Sequence, residues 1–220
     1  MSKKYCFTGE TKQLNSAVLH RIQALRDFSN VKKGDLGGWI EKEDNLSHDG
    51  TAWVRGNACV SDNAWVRSNA CVSDDARVSG NAWVRGNACV SGNACVRGNA
   101  CVSDNACVSD DACVSGNARV RGNACVSGNS VATCGIIIGN VSLAYKDIFQ
   151  YQCEKRVLTA ILTEDDEVLY SIGCQKNITK EVFIDRIHNE EGGIEKNPHR
   201  KEYLRLIKCV EVYFGKEKNR

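Results

Sequence analysis

Valine recurs at every sixth position through the middle of this chain, and this period constrains the fold more than any other feature of the sequence. Thirteen units, with valines from Val54 to Val126, follow the pattern Asn-Ala-x-Val-Ser/Arg-Gly/Asp with few exceptions. An apolar residue at every sixth position drifts around an α-helix, so no apolar stripe can form there. The strand period of two instead puts Ala and Val on one side, and x and Ser/Arg on the other. Each unit therefore predicts one short strand, with Ala and Val inside, and one corner.

Three units make a turn of eighteen residues, and stacking such turns about 4.8 Å apart pairs every strand with the strands above and below it. The corner positions, such as Gly56 and Asn57, hold residues that tolerate a left-handed backbone. The pattern resembles that of hexapeptide-repeat left-handed β-helices, because a small residue follows each aliphatic one by four positions, as Ala58 follows Val54. The resemblance implies a mainly β fold, a left-handed parallel β-helix with three hexads per coil. A right-handed or irregular solenoid is the structural alternative.

The segments on either side of the repeat predict structures that cover its ends, because unpaired strand edges promote association. Two short strands at residues 4–9 and 18–22, followed by residues 37–40, predict an N-terminal cap. After Gly128 the register breaks at residues 130–134, and residues 140–143 form one last degenerate unit. We therefore divide the chain into a cap with the first irregular coil (1–50), the repeat (51–143) and a tail (144–220).

The tail differs in composition from the repeat and predicts a small α+β unit. Residues 148–153, 157–163 and 168–174 alternate as strands, with a turn at 164–167 between the last two. Thr179 can cap a helix that runs through His188, and Asn197 with Pro198 can begin a second one. The apolar residues expected to be buried by this second helix are Tyr203, Leu204, Ile207 and Phe214.

Stacking at eighteen residues sorts the outward side chains into three faces. The first carries Trp53 and then cysteines, and the second mixes cysteines with Arg77. The third stacks Trp65 over Trp83, and exposed Trp beside Arg is typical of an interface hot spot. The alternative is that these aromatic rings only cover the solenoid and stabilise each other. The candidate interface residues are Trp65, Trp83, Arg67, Arg85, Arg119 and Arg121.

The thirteen cysteines are an odd number, which excludes complete pairing in disulfides within one chain. Reduced thiols in a cytosol fit this count better. Eight of them take the outward x position, where they form ladders rather than the tetrahedral cluster that structural zinc needs. We interpret them as small residues accepted on a parallel sheet, with soft-metal binding or redox chemistry as the alternative. No metal or cofactor is predicted.

The histidines bear on catalysis, because the acyltransferases that share the resembled fold use a histidine near a coil as general base. Related carbonic-anhydrase-like proteins hold zinc by several histidines. Here His20, His48, His188 and His199 all lie outside the regular repeat. His48 directly precedes the repeat and is interpreted as a capping or surface residue rather than a catalytic one. We therefore expect a protein that is not an enzyme.

The charge balance limits the classes of partner. A formal net charge of +2 in 220 residues is too close to neutral for the basic surface of a nucleic-acid binder. No run of about 18 apolar residues could span a bilayer, and the residues after Met1 lack the apolar region of a signal peptide. The sequence therefore predicts a cytoplasmic protein with protein partners.

The whole arrangement resembles a group of proteins encoded in bacteriophage and prophage genomes, often labelled as polymer-forming or hexapeptide-repeat proteins. The resemblance implies a location in the cytoplasm of a bacterial host. It lies in residues 4–5, 7–12, 21–28 and 31–41, in the Asn-Ala-x-Val array, and in a shorter match at residues 172–175.

Three function classes follow from these observations. The favoured one is a non-catalytic phage binding or scaffold protein that acts through protein contacts, with inhibition of host defence machinery as an extension. Related β-helices self-associate through flat faces, so a homo-oligomer is also expected. The alternatives are an acyltransferase-like enzyme and a β-helix that binds ice or another regular lattice.

Overall fold

The chain is mainly β and forms a parallel β-solenoid of about five turns, with two short helices near the C-terminus. The structure is a computed structural model. It describes residues 3–133, 136–138, 142–143, 148–153, 156–163, 165–172, 175–189, 196 and 200–216. The parallel solenoid predicted from the sequence is confirmed.

The solenoid is built from very short strands that begin every six residues through most of its length. These strands are β4 (Trp53–Val54), β5 (Cys59–Val60), β6 (Trp65–Val66), β7 (Cys71–Val72), β8 (Arg77–Val78), β9 (Trp83–Val84), β10 (Cys89–Val90), β11 (Cys95–Val96), β12 (Cys101–Val102), β13 (Cys107–Val108), β14 (Cys113–Val114), β15 (Arg119–Arg121), β16 (Cys125–Val126), β17 (Val131–Ala132), β18 (Ile136–Ile138) and β19 (Ser142–Leu143). They fall into three sheets. The sheet that matters most below has five strands in the order β18-β15-β12-β9-β6.

Each strand pairs with the strands one coil before and one coil after it. Cys89 lies opposite Cys71 and Cys107, and Val90 lies opposite Val72 and Val108. The backbone N–H of Cys89 donates to the carbonyl oxygen of Ala106 at 2.9 Å, and equivalent bonds recur along the stack. All thirteen repeat valines are 0% exposed, and the alanines two positions earlier are 0 or 1% exposed. The predicted core is therefore confirmed.

The corners explain why most left-handed positions of the repeat hold either Gly or Asp. Gly98 has a φ of +70°, and a Cβ there would lie 3.0 Å from the backbone nitrogen of Gly116 in the next coil. Where Asp takes this left-handed position, its carboxylate reaches the next coil instead. The carboxylate of Asp110, for example, accepts a hydrogen bond from the backbone N–H of Gly128 at 3.0 Å.

The N-terminal cap consists of β1 (Tyr5–Leu14), β2 (Ala17–Ala24) and β3 (Leu36–Ile40), and both predicted strands are longer than expected. The first two pair antiparallel, and β3 then pairs parallel with β5. The cap also buries an outward residue of the first face. Trp53, expected on an exposed ladder, is 5% exposed because Phe28 and Tyr5 pack edge-on against its ring.

The register of the repeat breaks within the expected residues 130–134. Val131 and Ala132 still keep the eighteen-residue register, opposite Cys113 and Val114. The N–H of Asn117 then donates to the carbonyl oxygen of Thr133 at 3.2 Å, one residue earlier than the equivalent bonds of the other coils. The register has therefore shortened to seventeen by Ile136, which lies opposite Arg119. Of the expected last unit, Ser142 and Leu143 form β19, while residues 140 and 141 lie outside the described residues.

The tail forms a four-stranded antiparallel sheet with two helices. The sheet consists of β20 (Ile148–Cys153), β21 (Arg156–Leu162), β22 (Val168–Ile172) and β23 (Gln175–Ile178), and the helices are α1 (Lys180–Asn189) and α2 (Arg200–Tyr213). The strand β23 was not predicted. The described residues do not include 164, 173 and 174, which belong to the predicted turn and third strand. They also do not include Asn197 and Pro198, the predicted start of the second helix.

Two hydrophobic clusters hold these parts together. One runs through the solenoid and continues into Ile148 and Ile161 of the tail sheet, so this sheet packs over the last coil. The other lies between the tail sheet and the helices, where Phe183 packs against Tyr170 and Tyr203. Ile207 is 3% exposed, as expected, whereas Tyr203, Leu204 and Phe214 are only partly buried.

Replacing Val90 by Asp should unfold the solenoid. The new carboxylate would lie in a core of Ala and Val side chains with no charged partner, which we expect to lower the free energy of unfolding by at least about 3 kcal/mol. Ser91→Asp is the matched control, because its side chain is half-buried and points outward. Urea denaturation compares the two variants, and equal destabilisation would contradict the assignment of inside and outside.

The stability of the cap should rise with pH between about 8 and 10. Burial, followed by the charge of Arg26, lowers the pKa of Lys4 from 10.5 to about 8. The Lys4 Nζ is enclosed and donates to the carbonyl oxygen of Ala52 at 2.7 Å. In this pH window the unfolded chain binds the lysine proton and the folded chain does not, so unfolding becomes less favourable as pH increases.

The variant Lys4→Met isolates this effect, since it removes the buried amine and keeps the apolar stem. Melting temperatures of both proteins at pH 7.5 and 9.5 give the measurement, and ionisations common to both proteins cancel in their difference. We expect the difference in melting temperature to shift in favour of the wild type as pH rises. An unchanged difference in melting temperature would show that folding does not lower the pKa of Lys4.

Candidate functional site

Trp65 and Trp83 form the stack that the sequence predicts. They lie opposite each other on β6 and β9, one coil apart, while Val66 and Val84 point into the core. Their ring centroids are 5.5 Å apart with an interplanar angle of 79°, an edge-to-face contact. Trp65 is half-buried and Trp83 is 41% exposed, so the second indole is the accessible one.

Arg67 joins this pair. Its guanidinium carbon lies 4.4 Å from the Trp65 ring centroid and 4.9 Å from that of Trp83. Each contact is a cation–π interaction, worth about 0.5 to 1 kcal/mol at an exposed site. The three side chains therefore hold one another in place and present a preformed surface.

The other three predicted arginines do not belong to this cluster. Arg85 follows Trp83 on the same coil and is exposed. Arg119 lies two strands beyond Trp83, since Cys101 stands between them in the ladder. Arg121 is half-buried beside Arg119, and its Nε has no hydrogen-bond partner among the described residues. We call the outward residues of this five-stranded sheet the Trp/Arg face.

A groove next to the indoles was not predicted from the sequence. It has a volume of about 680 Å³ and lies between the two rings and the segment before the repeat. Its lining residues are Lys42, Glu43, Asp44, Leu46, Ser47, His48, Asp49, Asn63, Ala64, Trp65 and Trp83. The groove forms without a long loop within the coils, because the segment before the repeat supplies its wall.

Two extra residues create the wall of the groove. Leu46 bridges to Val66, a separation of twenty residues instead of eighteen, and Ile40 is likewise twenty residues from Val60. From Leu46 to Val54 there are eight positions rather than six, so the chain bulges at residues 47–49. This departure from the six-residue spacing was the available sequence signal.

The wall is held rigidly against the solenoid. Asn45, at the end of the short 3-10 helix Glu43–Asn45, is 0% exposed. Its Nδ2 donates to the carbonyl oxygens of Asp62 at 3.1 Å and Ala64 at 2.8 Å. The Tyr5 hydroxyl donates to the carbonyl oxygen of Leu46 at 2.8 Å. The wall is therefore a fixed part of the fold.

His48 is built into this wall. Its ring stacks on Tyr5 with centroids 4.4 Å apart, and its Nδ1 accepts a hydrogen bond from the backbone N–H of Lys4 at 3.1 Å. Burial lowers its pKa, which favours the neutral ring with the proton on Nε2. Because Nδ1 is occupied, the residue acts as a structural part of the cap, in line with the capping role expected.

The wall has an acidic character. We call Glu43, Asp44 and Asp49 the acidic wall, since these three carboxylates line the groove together with one lysine, Lys42. The Nζ of Lys42 donates to Oδ1 of Asn63 at 3.0 Å. Glu43 accepts a hydrogen bond from Lys3 at 2.7 Å, and this bond lowers the pKa of Glu43. An aromatic floor beside carboxylates suits a cationic group.

A second sheet of the solenoid has six strands in the order β19-β16-β13-β10-β7-β4, and its cysteines form another ordered array. Cys71, Cys89, Cys107 and Cys125 lie in register, are half-buried, and are not paired in disulfides. A hydrogen bond from the Cys71 thiol lowers the pKa of Cys89 to about 6 and raises that of Cys71. Among the described residues, no group of three or more His, Cys, Asp or Glu side chains is arranged to hold a metal ion.

Thiol labelling should distinguish these cysteines. At pH 6.5 we expect Cys89 to react first with iodoacetamide, because the thiolate is the nucleophile, while Cys107, with a pKa raised to about 11, reacts slowly. Cys59 is 6% exposed and should stay protected in folded protein. Peptide mass spectrometry of reduced protein measures each site.

The variant Cys71→Ala tests whether the hydrogen bond from Cys71 is what lowers the pKa of Cys89. It removes the hydrogen-bond donor, so the labelling rate of Cys89 at pH 6.5 should fall by about tenfold. Labelling of Cys59 as fast as Cys89 would show that the cap does not cover this strand.

No protein-family model and no curated protein matches this chain. In the part of the chain that the structure describes, no helix is both long and apolar enough to cross a membrane. The role of the Trp/Arg face must therefore be inferred from its own residues.

Proposed function

We propose that this chain is a non-catalytic binding or scaffold protein that contacts another protein through the Trp/Arg face. The observation that carries the proposal is the 41% exposed indole of Trp83, held against Trp65 and Arg67 at the mouth of the groove. Trp and Arg in such settings dominate the binding energy of protein interfaces. The rings are already ordered by their neighbours, so binding loses little side-chain entropy.

The partner is either another protein or a further copy of this chain. A membrane or a nucleic acid is a poorer fit, because the net charge is +2 and the acidic wall lies directly beside the indoles. Phosphate backbones would be repelled by this wall. A protein surface that carries basic side chains is the better complement.

The resemblance to phage-encoded repeat proteins extends the proposal to origin and handedness. It supports a left-handed solenoid with three hexads per coil, encoded by a bacteriophage and acting in the cytoplasm of the bacterial host. Small phage proteins of this kind often act on host machinery, so inhibition of a host defence system is the biological role we propose.

Two other functions have less support. An acyltransferase-like enzyme needs a histidine free to act as a base, and His48 uses its Nδ1 to accept a backbone hydrogen bond. Binding of ice or another lattice would use a flat, regular ladder. The ladder of the six-stranded sheet consists of Cys and Ser rather than Thr.

The double variant Trp65→Ala with Trp83→Ala tests the proposal. We expect it to fold, because both indoles lie outside the Val and Ala core. Its association should weaken by more than about 2 kcal/mol, the usual effect of removing a hot-spot Trp. Light scattering measures self-association, and pull-down from bacterial lysate beside the wild type measures capture of other proteins.

Trp39→Ala is the matched control, since Trp39 is also half-buried and has Lys12 and Arg21 over its ring, but lies on another sheet. It should leave association unchanged. If the double variant kept both its mass and its captured proteins, the Trp/Arg face would have no binding role.

A further inference from the structure

We infer that the protein bound by the Trp/Arg face is a second copy of the same chain. The two solenoids dock face to face with their coils stacked in opposite directions, an arrangement called antiparallel below, so that Arg119 and Arg121 of each copy enter the groove of the other. This inference rests on the proposed function of the face and names its partner. A two-fold dimer needs a surface that is complementary to itself. The distribution of charge along the five-stranded sheet meets that condition.

Opposite charges lie on the two sides of β9 along the face. On one side stands the acidic wall, in which neither Asp44 nor Asp49 makes an ion pair with a described residue. On the other side, on β15, are Arg119 and Arg121, which likewise have no carboxylate partner among the described residues. Asp104, at a corner of the preceding coil, uses its carboxylate to accept the backbone N–H of Gly122 at 3.2 Å. Unpaired charge of both signs is therefore available on a single face.

The positions of the acidic wall and of the two arginines match under a two-fold rotation. Going along the sheet, the order is the segment of Leu46, then β6, β9, β12, β15 and β18. The acidic wall and the two arginines are thus each two strands away from β9. An axis that runs along β9 exchanges β6 with β12 and the wall with β15. The most exposed indole, Trp83, then lies at the centre, opposite Trp83 of the second copy.

The groove suits a guanidinium group in particular. Arg67 already places its guanidinium over both indoles at 4.4 and 4.9 Å, so the chain itself shows that these rings accept this group. Carboxylates on the opposite wall add charge-assisted hydrogen bonds, which arginine makes with two donors at once.

The arrangement places one like-charge contact, Arg85 against Arg85 of the second copy. Arg85 is exposed and is followed directly by the corner at Gly86, so it lies at the rim of the face. Solvent screens charges there far more than at the centre. In this arrangement Arg67 lies opposite the small side chain of Ser103 of the second copy. Arg67 therefore makes no like-charge contact there.

Charge reversal tests the arrangement with two variants. One replaces Glu43 and Asp44 by Lys, and the other replaces Arg119 and Arg121 by Glu. Each variant alone would oppose like charges in both contacts of the dimer, so we expect the dissociation constant to rise by at least about tenfold. Light scattering should show wild-type protein at twice the 24.2 kDa chain mass, and each variant shifted towards the monomer.

An equimolar mixture of the two variants should restore the dimer. In a mixed pair both contacts are again complementary, with the signs reversed in one of them. Arg77→Glu with Arg97→Glu is the matched control, because it makes the same charge change on exposed residues of another sheet and should remain dimeric. Circular dichroism confirms that each variant is folded.

The other outcomes separate this inference from the proposed function. A monomeric wild type whose captured proteins are lost in the Trp65→Ala, Trp83→Ala variant would overturn the dimer and leave the binding face intact. A dimer that survives both the Trp variant and the charge variants uses another surface and would overturn this inference. The proposed function would fall as well only if the Trp variant also kept its captured proteins. Charge variants that stay monomeric when mixed would overturn the antiparallel arrangement.

Discussion

The stacking of one coil on the next at an interval of eighteen residues is the constraint on which this structure depends. The strands of each coil form their hydrogen bonds with the neighbouring coils, as the bond from the N–H of Cys89 to the oxygen of Ala106 illustrates, while turn bonds such as that from the N–H of Ala64 to the oxygen of Ser61 close the corners. Such a bond forms only if every corner turns the chain by the same amount. The left-handed corners filled by Gly, or by Asp that reaches the next coil, therefore fix the register of the whole solenoid.

The same stacking leaves an unpaired edge at each end, and both edges are covered by other parts of the chain. At the first coil, β3 continues the parallel pairing, and Lys4 is enclosed with its ammonium on the oxygen of Ala52. At the last coil, Ile148 and Ile161 of the tail sheet join the core of the solenoid. Covering these edges disfavours the addition of further copies coil upon coil.

The repeat was predictable because each residue type has one geometric role within six positions. The valine column, the alanine column and the stack of Trp65 on Trp83 follow from counting alone. The two ends of the solenoid were not predictable, because the contacts there join residues that are far apart in the sequence. Alternation alone places Trp53 outside, but Phe28 and Tyr5 reach back to bury it. The groove likewise depends on a wall anchored by Asn45 to a coil that follows it.

The groove favours a binding role for the Trp/Arg face over a purely structural one. Two stacked indoles on a flat sheet can be explained by mutual covering alone, since edge-to-face contact already stabilises them. A rigid wall of carboxylates beside them adds a requirement, because the unpaired charge of Asp44 and Asp49 near an aromatic surface is best neutralised by a cation from outside. The chain carries such cations at Arg119 and Arg121, which lie the same number of strands from β9 as the wall does and on the same face. A regular repeat fixes these strand positions, so the register that holds the fold together also maintains the complementarity between the wall and the two arginines.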